Sequence, residues 1–215
     1  MSQPVSVPQP RRKISARTLA VTAMLSAVAA ALMYIEIPIP VLIPSFVKMD
    51  VSELPALLAS FSIGPTAGIA VCLLKNVLAA IFHGSTLLKG TSSAFVGELC
   101  NFALNAVFAV AAGLIYKFHK NRTGAILGSL AGAVAMGLFS VPLNYFLVYP
   151  AYAAAFGGME LIVGAYQTIL PSVDGLLECL LIFNLPFTIV KGLLCAAICF
   201  LIYKPLSPLL HGRKD

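Results

Sequence analysis

The chain has 215 residues, of which 60% are hydrophobic and 10% are charged, with a mean hydropathy of +0.95. A soluble domain carries roughly 25% charged residues, so this composition excludes a soluble globular protein and predicts a single polytopic membrane domain. The formal net charge is +6, but the positive residues cluster at the two ends and in one short loop. That is a membrane-topology pattern, so a lipid bilayer is the expected environment and nucleic acid is not an expected partner.

Three membrane-spanning helices are predicted in the first part of the chain. The first covers 15–35 and ends at the prolines of IEIPIPVLIP, which cannot continue a helix. A loop follows, and the next uncharged run is divided by an Ile-Gly-Pro sequence into a second span (54–63) and a third (65–83). The second span would be roughly 15 Å long, so tilting or shielding by neighbouring helices is expected.

Three further spans are predicted in the second part of the chain. They cover 94–116, 123–148 and 183–203. The fifth is predicted to stop before Tyr149-Pro150, and the sixth to start with Pro186 in its first turn. Residues 150–182 are expected to form a long connection, parts of it helical and lying at the membrane interface.

The distribution of lysine and arginine predicts the orientation. With six spans, the basic clusters before span one, between spans four and five, and after span six all fall on one side, the cytoplasm. We therefore expect an all-α membrane protein with both termini cytoplasmic. Its parts would be a disordered N-terminus (1–14), a six-helix membrane domain (15–205) and a basic tail (206–215).

A lysine stands in the middle of the last span. Lys191 lies about twelve residues from either end of an uncharged run, and an ionisable group at membrane depth indicates a functional site. Asn144 and Asn101 are expected at a similar depth, which predicts a small polar cavity open to the outside. Amide and ammonium donors suit neutral ligands that carry carbonyls or ring nitrogens.

Each of these polar residues also has a structural interpretation. Lys191 can extend its stem to the outer interface, and Lys75 can do the same or pair with a neighbour. Glu98, which shares a helix face with Asn101, can sit at the interface. Asn144 can form a hydrogen bond between two helices.

Motifs of catalysis and metal binding are not found in the sequence. It contains no HExxH, GxSxG or Walker A motif, so we expect neither an enzyme nor a metal site, and any ATP must be bound by another subunit. Small residues recur every four positions at Ala23, Ala27 and Ala31, and also along 124–132. Such faces allow close helix approach, either within this protein or against a partner.

Several stretches together resemble a known family. IEIPIPVLIPSFVKMDVSELPALL, GELCNF, VPLNYF and NLPFTIVKGLL occur in order along residues 35–194. In sequence, spacing and six-span layout, residues 15–205 resemble the riboflavin-specific substrate-binding (S) subunit of energy-coupling-factor (ECF) transporters.

This resemblance implies an S-component bundle in a bacterial plasma membrane. It would capture riboflavin from the outside and work with a transmembrane coupling subunit and two cytoplasmic ATPases, with riboflavin as the transported ligand and no cofactor. The alternatives are an S subunit for another vitamin or a stand-alone carrier of small solutes.

The resemblance also implies roles for individual residues. Asn144 and Lys191 would bind the isoalloxazine ring, and the loop around Phe46 would cover the ligand. The remaining substrate-binding candidates are Val47, Lys48, Asp50, Asn76, Glu98 and Asn101. An alanine face of Ala23, Ala27 and Ala31 would meet the coupling subunit.

Overall fold

The computed structural model describes residues 15–44, 46–82 and 92–211, and these residues are mainly helical. The helices are α1 (Ala16–Met33), α2 (Leu54–Ser62), α3 (Pro65–Phe82), α4 (Ser92–Phe118), α5 (Arg122–Leu143), α6 (Tyr149–Phe156), α7 (Met159–Gln167), α8 (Leu176–Cys179) and α9 (Leu185–His211). Two short strands, β1 (Ile37–Pro38) and β2 (Lys48–Met49), pair antiparallel. The predicted N-terminal tail (1–14) lies outside the described residues, and so do residues 212–215 of the predicted basic tail (206–215), whose residues 206–211 continue α9.

Five helical stretches in this part of the chain are long and apolar enough to cross a membrane. They are Ala16–Met33, Pro65–Phe82, Phe95–Phe118, Arg122–Ala155 and Leu176–Tyr203. α2 has only nine residues, and every residue from Leu54 to Phe61 is buried because α1, α3, α4 and α9 pack around it. The predicted shielding of this short helix is confirmed, while the count of six membrane crossings and the orientation stay predictions.

Two helices continue through prolines at which the sequence predicted a boundary. α5 runs through a π-helical turn (Asn144–Val148) into α6, which contains Pro150, and α8 runs through a second π-helical turn (Leu180–Asn184) into α9, which contains Pro186. Each proline follows its π turn by two residues. Proline removes one backbone donor, and a local π adjustment accommodates that loss within a membrane helix.

The predicted start of the sixth span at 183, with Pro186 in its first turn, was therefore wrong. The helical stretch begins at Leu176, so Lys191 lies 15 residues along it, roughly 22 Å from its start at 1.5 Å per residue. The predicted stop of the fifth span at 148 was wrong for the same reason, since the helix extends to Phe156.

Residues 39–44 and 46–47, called the capping loop below, lie between the two strands at one end of the bundle. The pairing of Ile37 with Met49 holds the two ends of this loop together. Ile43 is fully buried and packs in a cluster that also contains Tyr149 and Tyr166. The capping loop is thereby anchored onto α6 and α7.

α5 packs against α4 through its glycines. A Cβ atom placed on Gly128 would lie 2.7 Å from the carbonyl oxygen of Ala112, and one on Gly132 would lie 2.9 Å from that of Phe108. Both distances are shorter than carbon–oxygen contact allows. The small-residue pattern along 124–132 therefore serves packing within this protein.

Replacing Gly128 by alanine is expected to destabilise the bundle by about 1–3 kcal/mol, because the new methyl forces α4 and α5 apart. The matched control is Gly164→Ala in α7, where a Cβ atom has nothing within 4 Å. That change is expected to stabilise slightly, by up to about 1 kcal/mol, from helix propensity. Thermal unfolding in detergent measures both, and equal melting temperatures for the two variants would contradict the packing argument.

Candidate ligand-binding site

A cavity of about 410 Å³ lies beneath the capping loop, between α4, α5, α6 and α9. This volume is within the range of small-molecule sites. Its aromatic walls are Phe46, Phe95, Tyr149, Tyr152 and Phe187, and its polar lining includes Glu36, Glu98, Asn101, Asn105, Asn144, Asn184, Thr188 and Lys191. The mixture of flat apolar surfaces and separated polar groups suits a planar ligand with a polar edge.

Lys191 is paired with two acidic residues from the segment after β2. Its Nζ atom lies 2.8 Å from Oδ2 of Asp50 and 2.8 Å from Oε1 of Glu53. It is held inside the protein by these pairs, in contrast to the alternative in which it extends to the interface. An ammonium group has three N–H donors, so one remains for a ligand in the cavity.

Lys75 completes a buried group of charges. It is fully buried, and its Nζ atom donates to Oγ of Ser52 at 2.6 Å. The backbone N–H of Ser52 in turn donates to Oδ1 of Asp50 at 2.8 Å. Lys75, Lys191, Asp50 and Glu53, called the ion cluster below, balance two positive against two negative charges, which is the condition for burying them.

The ion cluster keeps Asp50 ionised. Burial alone would raise the pKa of its carboxyl group, but the charges of Lys191 and Lys75 and the hydrogen bonds from Lys191 and Ser52 outweigh burial and lower the pKa to about 2. Asp50 is therefore a carboxylate at neutral pH. Its contribution to stability would be lost only as the pH falls from about 4 towards 2.

Asn144 is placed in the cavity by the first π-helical turn. It lies at the start of that turn, and its Nδ2 atom donates to the carbonyl oxygen of Ser140 at 2.8 Å. The side chain also lines the cavity. π turns frequently occur at functional sites, and this one carries the Asn144 amide that lines the cavity.

A ring of three hydrogen bonds lies at one side of the cavity, which two of its residues, Tyr149 and Asn184, line. Nδ2 of Asn184 donates to the hydroxyl of Tyr149 at 2.9 Å, and the hydroxyl of Tyr166 donates to Oδ1 of Asn184 at 2.6 Å. The two tyrosine hydroxyls are hydrogen-bonded to each other. Because both ends of the Asn184 amide are engaged, its orientation is determined, and its remaining N–H is available as a donor.

Most of the residues that the sequence analysis singled out come together in this cavity. Phe46, Val47, Asp50, Glu98, Asn101, Asn144 and Lys191 all line it. Phe46 meets Tyr149 and Tyr166 edge-on, with ring centroids 6.3 and 6.0 Å apart. Asn76 is not part of the lining, and its Nδ2 atom donates to the carbonyl of Cys72 at 2.7 Å within α3. The side chain of Lys48 lies outside the described part of the chain.

Several lining residues were missed by the sequence analysis. They are Glu36, Glu53, Asn105, Tyr149, Tyr152, Asn184 and Thr188. Asn184 and Thr188 precede Lys191 by seven and three residues, so helical spacing places them on its face, and that signal was available. Glu53 was visible only as a charge in a loop, and its pairing with a residue 138 positions later has no local signal.

The alanine face of α1 is exposed. Ala23, Ala27 and Ala31 are all accessible, whereas the opposite side of the helix, around Leu25 and Ala29, is buried against α2 and α3. A face of small side chains permits close approach by another helix.

Comparison with known proteins places these features in a family. The chain matches the family model of the ECF transporter, substrate-specific component, over residues 17–203. It is 33% identical to the riboflavin transporter FmnP of Bacillus subtilis over 199 residues, covering 93% of this chain and 96% of that protein. It is also 33% identical to the riboflavin transporter RibU of Staphylococcus aureus over 200 residues, covering 92% and 95% of the two chains.

The fold agrees with these sequence relationships. A solved structure of the S component of a bacterial ECF transporter superimposes with a TM-score of 0.67 and 30% identity, covering 92% of this chain and 98% of that chain. The resemblance found in the sequence is therefore confirmed, and this chain belongs to the family of substrate-specific components of ECF transporters.

Proposed function

We propose that this protein is the riboflavin-capturing subunit of an ECF transporter in a bacterial plasma membrane. As a member of this family it is a transport component and not an enzyme. The observation that carries the proposal is the cavity beneath the capping loop, where Lys191 and Asn144 meet aromatic side chains. Relatives that align over more than 90% of their length are named as riboflavin transporters.

The chemistry of the cavity supports a flavin. The isoalloxazine ring is flat, with carbonyl oxygens and ring nitrogens along one edge that accept hydrogen bonds. Lys191, Asn144 and Asn184 supply donors for this edge, and Tyr149 and Phe187 supply apolar surface for the ring. Glu98, Asn101 and Asn105 supply acceptors and donors for the hydroxyls of the ribityl chain. Buried donors left without these carbonyls would be unsatisfied, so ligands that lack them are rejected.

The capping loop supports capture from one side of the bilayer. It covers the cavity with Phe46 and Val47, and the ion cluster joins the segment that follows it to α3 and α9. Release of riboflavin then requires the partners of the S subunit, namely a transmembrane coupling subunit and two ATPases. The exposed alanine face of α1 is our candidate for the surface that meets the coupling subunit.

Riboflavin titration of the purified protein in detergent tests this function, with quenching of the flavin fluorescence as the signal. Asn144→Ala is expected to weaken binding by about 1–3 kcal/mol, because one buried hydrogen-bond partner of the ligand is lost. The matched control is Asn76→Ala. Both amides donate to the carbonyl four residues earlier in a helix, but only Asn144 lines the cavity, so Asn76→Ala should bind riboflavin like the wild type.

Two results would contradict the proposal. Absence of quenching at micromolar wild-type protein would exclude riboflavin, and the small molecule that co-purifies would then identify another vitamin as the ligand. Equal weakening by Asn144→Ala and Asn76→Ala would show that the loss arises from helix packing and not from the ligand site.

A further inference from the structure

A second cavity lies at the opposite end of the helix bundle. Its volume is about 520 Å³, and it is lined by Phe61, Tyr116, Arg122, Ala125, Phe200 and Tyr203, together with Asn121, the N-cap residue of α5. These residues belong to α2, α4, α5 and α9. The other end of each of these helices lies at the ligand-binding cavity or the ion cluster. The basic residues around this second cavity predict that it is on the cytoplasmic side.

The walls of this cavity are apolar and aromatic. The ring of Phe61 lies 4.9 Å from that of Tyr116 and 6.5 Å from that of Phe200, measured between centroids. Phe200 and Tyr203 lie on the same face of α9, one turn apart. Together the rings form a cleft between α2, α4 and α9.

Among the residues that the structure describes, Arg122 is the one charged residue in the lining of this cavity. No carboxylate of the described residues lies there, because the acidic side chains belong to elements at the other end of the bundle. They are Glu36, Asp50, Glu53, Glu98, Glu160, Asp174 and Glu178. Lys117 in the last turn of α4 and Lys120 in the adjoining α4–α5 connection are both exposed. Within the described part of the chain, the mouth of the cavity therefore carries positive charge and no carboxylate that balances it.

An apolar cleft with a cation at its mouth matches a ligand with a hydrocarbon chain and an anionic head. Moving an acyl chain from the bilayer into an apolar cleft changes its free energy little, since both surroundings are hydrocarbon. Selection then depends on the headgroup. A guanidinium binds phosphate oxygens in a bidentate fashion, and basic pockets between helices on the cytoplasmic side favour anionic lipids.

We propose that this cavity binds one anionic phospholipid of the inner leaflet, with an acyl chain among the aromatic rings and the phosphate on Arg122. Lys117 and Lys120 favour a headgroup of net negative charge over one that carries a choline. The site is separate from the riboflavin cavity and does not depend on which vitamin is transported.

Native mass spectrometry of the detergent-purified protein tests the proposal, with phosphatidylglycerol and phosphatidylcholine of identical acyl chains as probes. We expect the wild type to retain one phosphatidylglycerol in preference to phosphatidylcholine. Arg122→Gln should weaken retention about tenfold, the effect of losing one charge-assisted hydrogen bond. Lys120→Gln, which removes an exposed charge outside the cavity lining, should change retention by much less.

A second variant tests the acyl-chain part of the cavity. Ala125→Phe fills the space between the rings and should abolish retention of phosphatidylglycerol, with an unchanged melting temperature showing that the fold is intact.

Equal retention of the two lipids by the wild type, or wild-type retention by Arg122→Gln, would overturn the proposal. Displacement of the lipid by inorganic phosphate would contradict the lipid proposal and show that the cavity is a simple anion site. Loss of assembly with the coupling subunit in Arg122→Gln, with lipid retention unchanged, would assign the cavity to a protein partner.

Discussion

Replacing Lys191 by methionine is expected to lower both the stability of the protein and its affinity for riboflavin. Lys191 pairs with Asp50 and Glu53 at 2.8 Å each, so its removal leaves two buried carboxylates facing Lys75 alone. Breaking a buried pair in this way costs about 3–5 kcal/mol. The loss of one charged donor to the ligand costs a further 1.5–3 kcal/mol or so in binding free energy.

A triple variant separates these two effects. In Lys191→Met combined with Asp50→Asn and Glu53→Gln, no carboxylate is left unpaired, so most of the lost stability should return. Riboflavin binding should stay at least about tenfold weaker than in the wild type, because the ammonium donor is still missing. Thermal unfolding and riboflavin titration, performed on the same preparations, provide the two readouts.

The two readouts can fail independently. Wild-type affinity in the triple variant would show that Lys191 does not touch the ligand and serves only to anchor the segment at 50–53. An unchanged melting temperature in the single Lys191→Met variant would show instead that the ion cluster does not stabilise the fold.

Replacing Ala27 by leucine is expected to reduce riboflavin uptake by cells more than tenfold while riboflavin binding by the purified subunit is unchanged. Ala27 is exposed at the centre of the alanine face, between Ala23 and Ala31. A leucine side chain there would keep a partner helix from the close approach that small residues permit. Co-purification with the coupling subunit and ATPases should be lost in parallel with uptake.

Val28→Leu is the matched control for this change. Val28 is 46% exposed but lies about 100° further round the helix, away from the centre of the alanine face. The Val28→Leu variant should assemble with the partner subunits and transport riboflavin like the wild type. Normal uptake by Ala27→Leu would exclude the alanine face as the interface, and loss of riboflavin binding by that variant would indicate damage within the bundle instead.

Much of the site was predictable because membrane helices obey strong local rules. An uncharged run makes any charge within it conspicuous, so Lys191 stood out from composition alone. Helical spacing placed Asn101 beside Glu98, and both line the cavity. Asn76 was grouped with the site because it is polar and at membrane depth, but the direction of its side chain depends on how α3 is rotated, and no local pattern reveals that.

The two helix boundaries that were predicted from prolines were wrong. Pro150 and Pro186 were interpreted as helix boundaries, which is sound for soluble helices. In the folded bundle each follows a π-helical turn within a continuous helix. Neighbouring helices and a shifted hydrogen-bond pattern accommodate the missing donor, and this compensation is a property of packing and not of the proline-containing stretch.

By itself, then, the sequence determined the membrane class, the approximate helices, the family and the presence of an ionisable residue, Lys191, within the last helix, because hydropathy and charge act locally along the chain. Only the tertiary structure decided how the charges are compensated. Glu53 meets Lys191, and Tyr166 closes a hydrogen-bonded ring with Tyr149 and Asn184, through contacts between residues far apart in sequence. Buried polar groups must find partners, but which partners they find depends on how the helices pack.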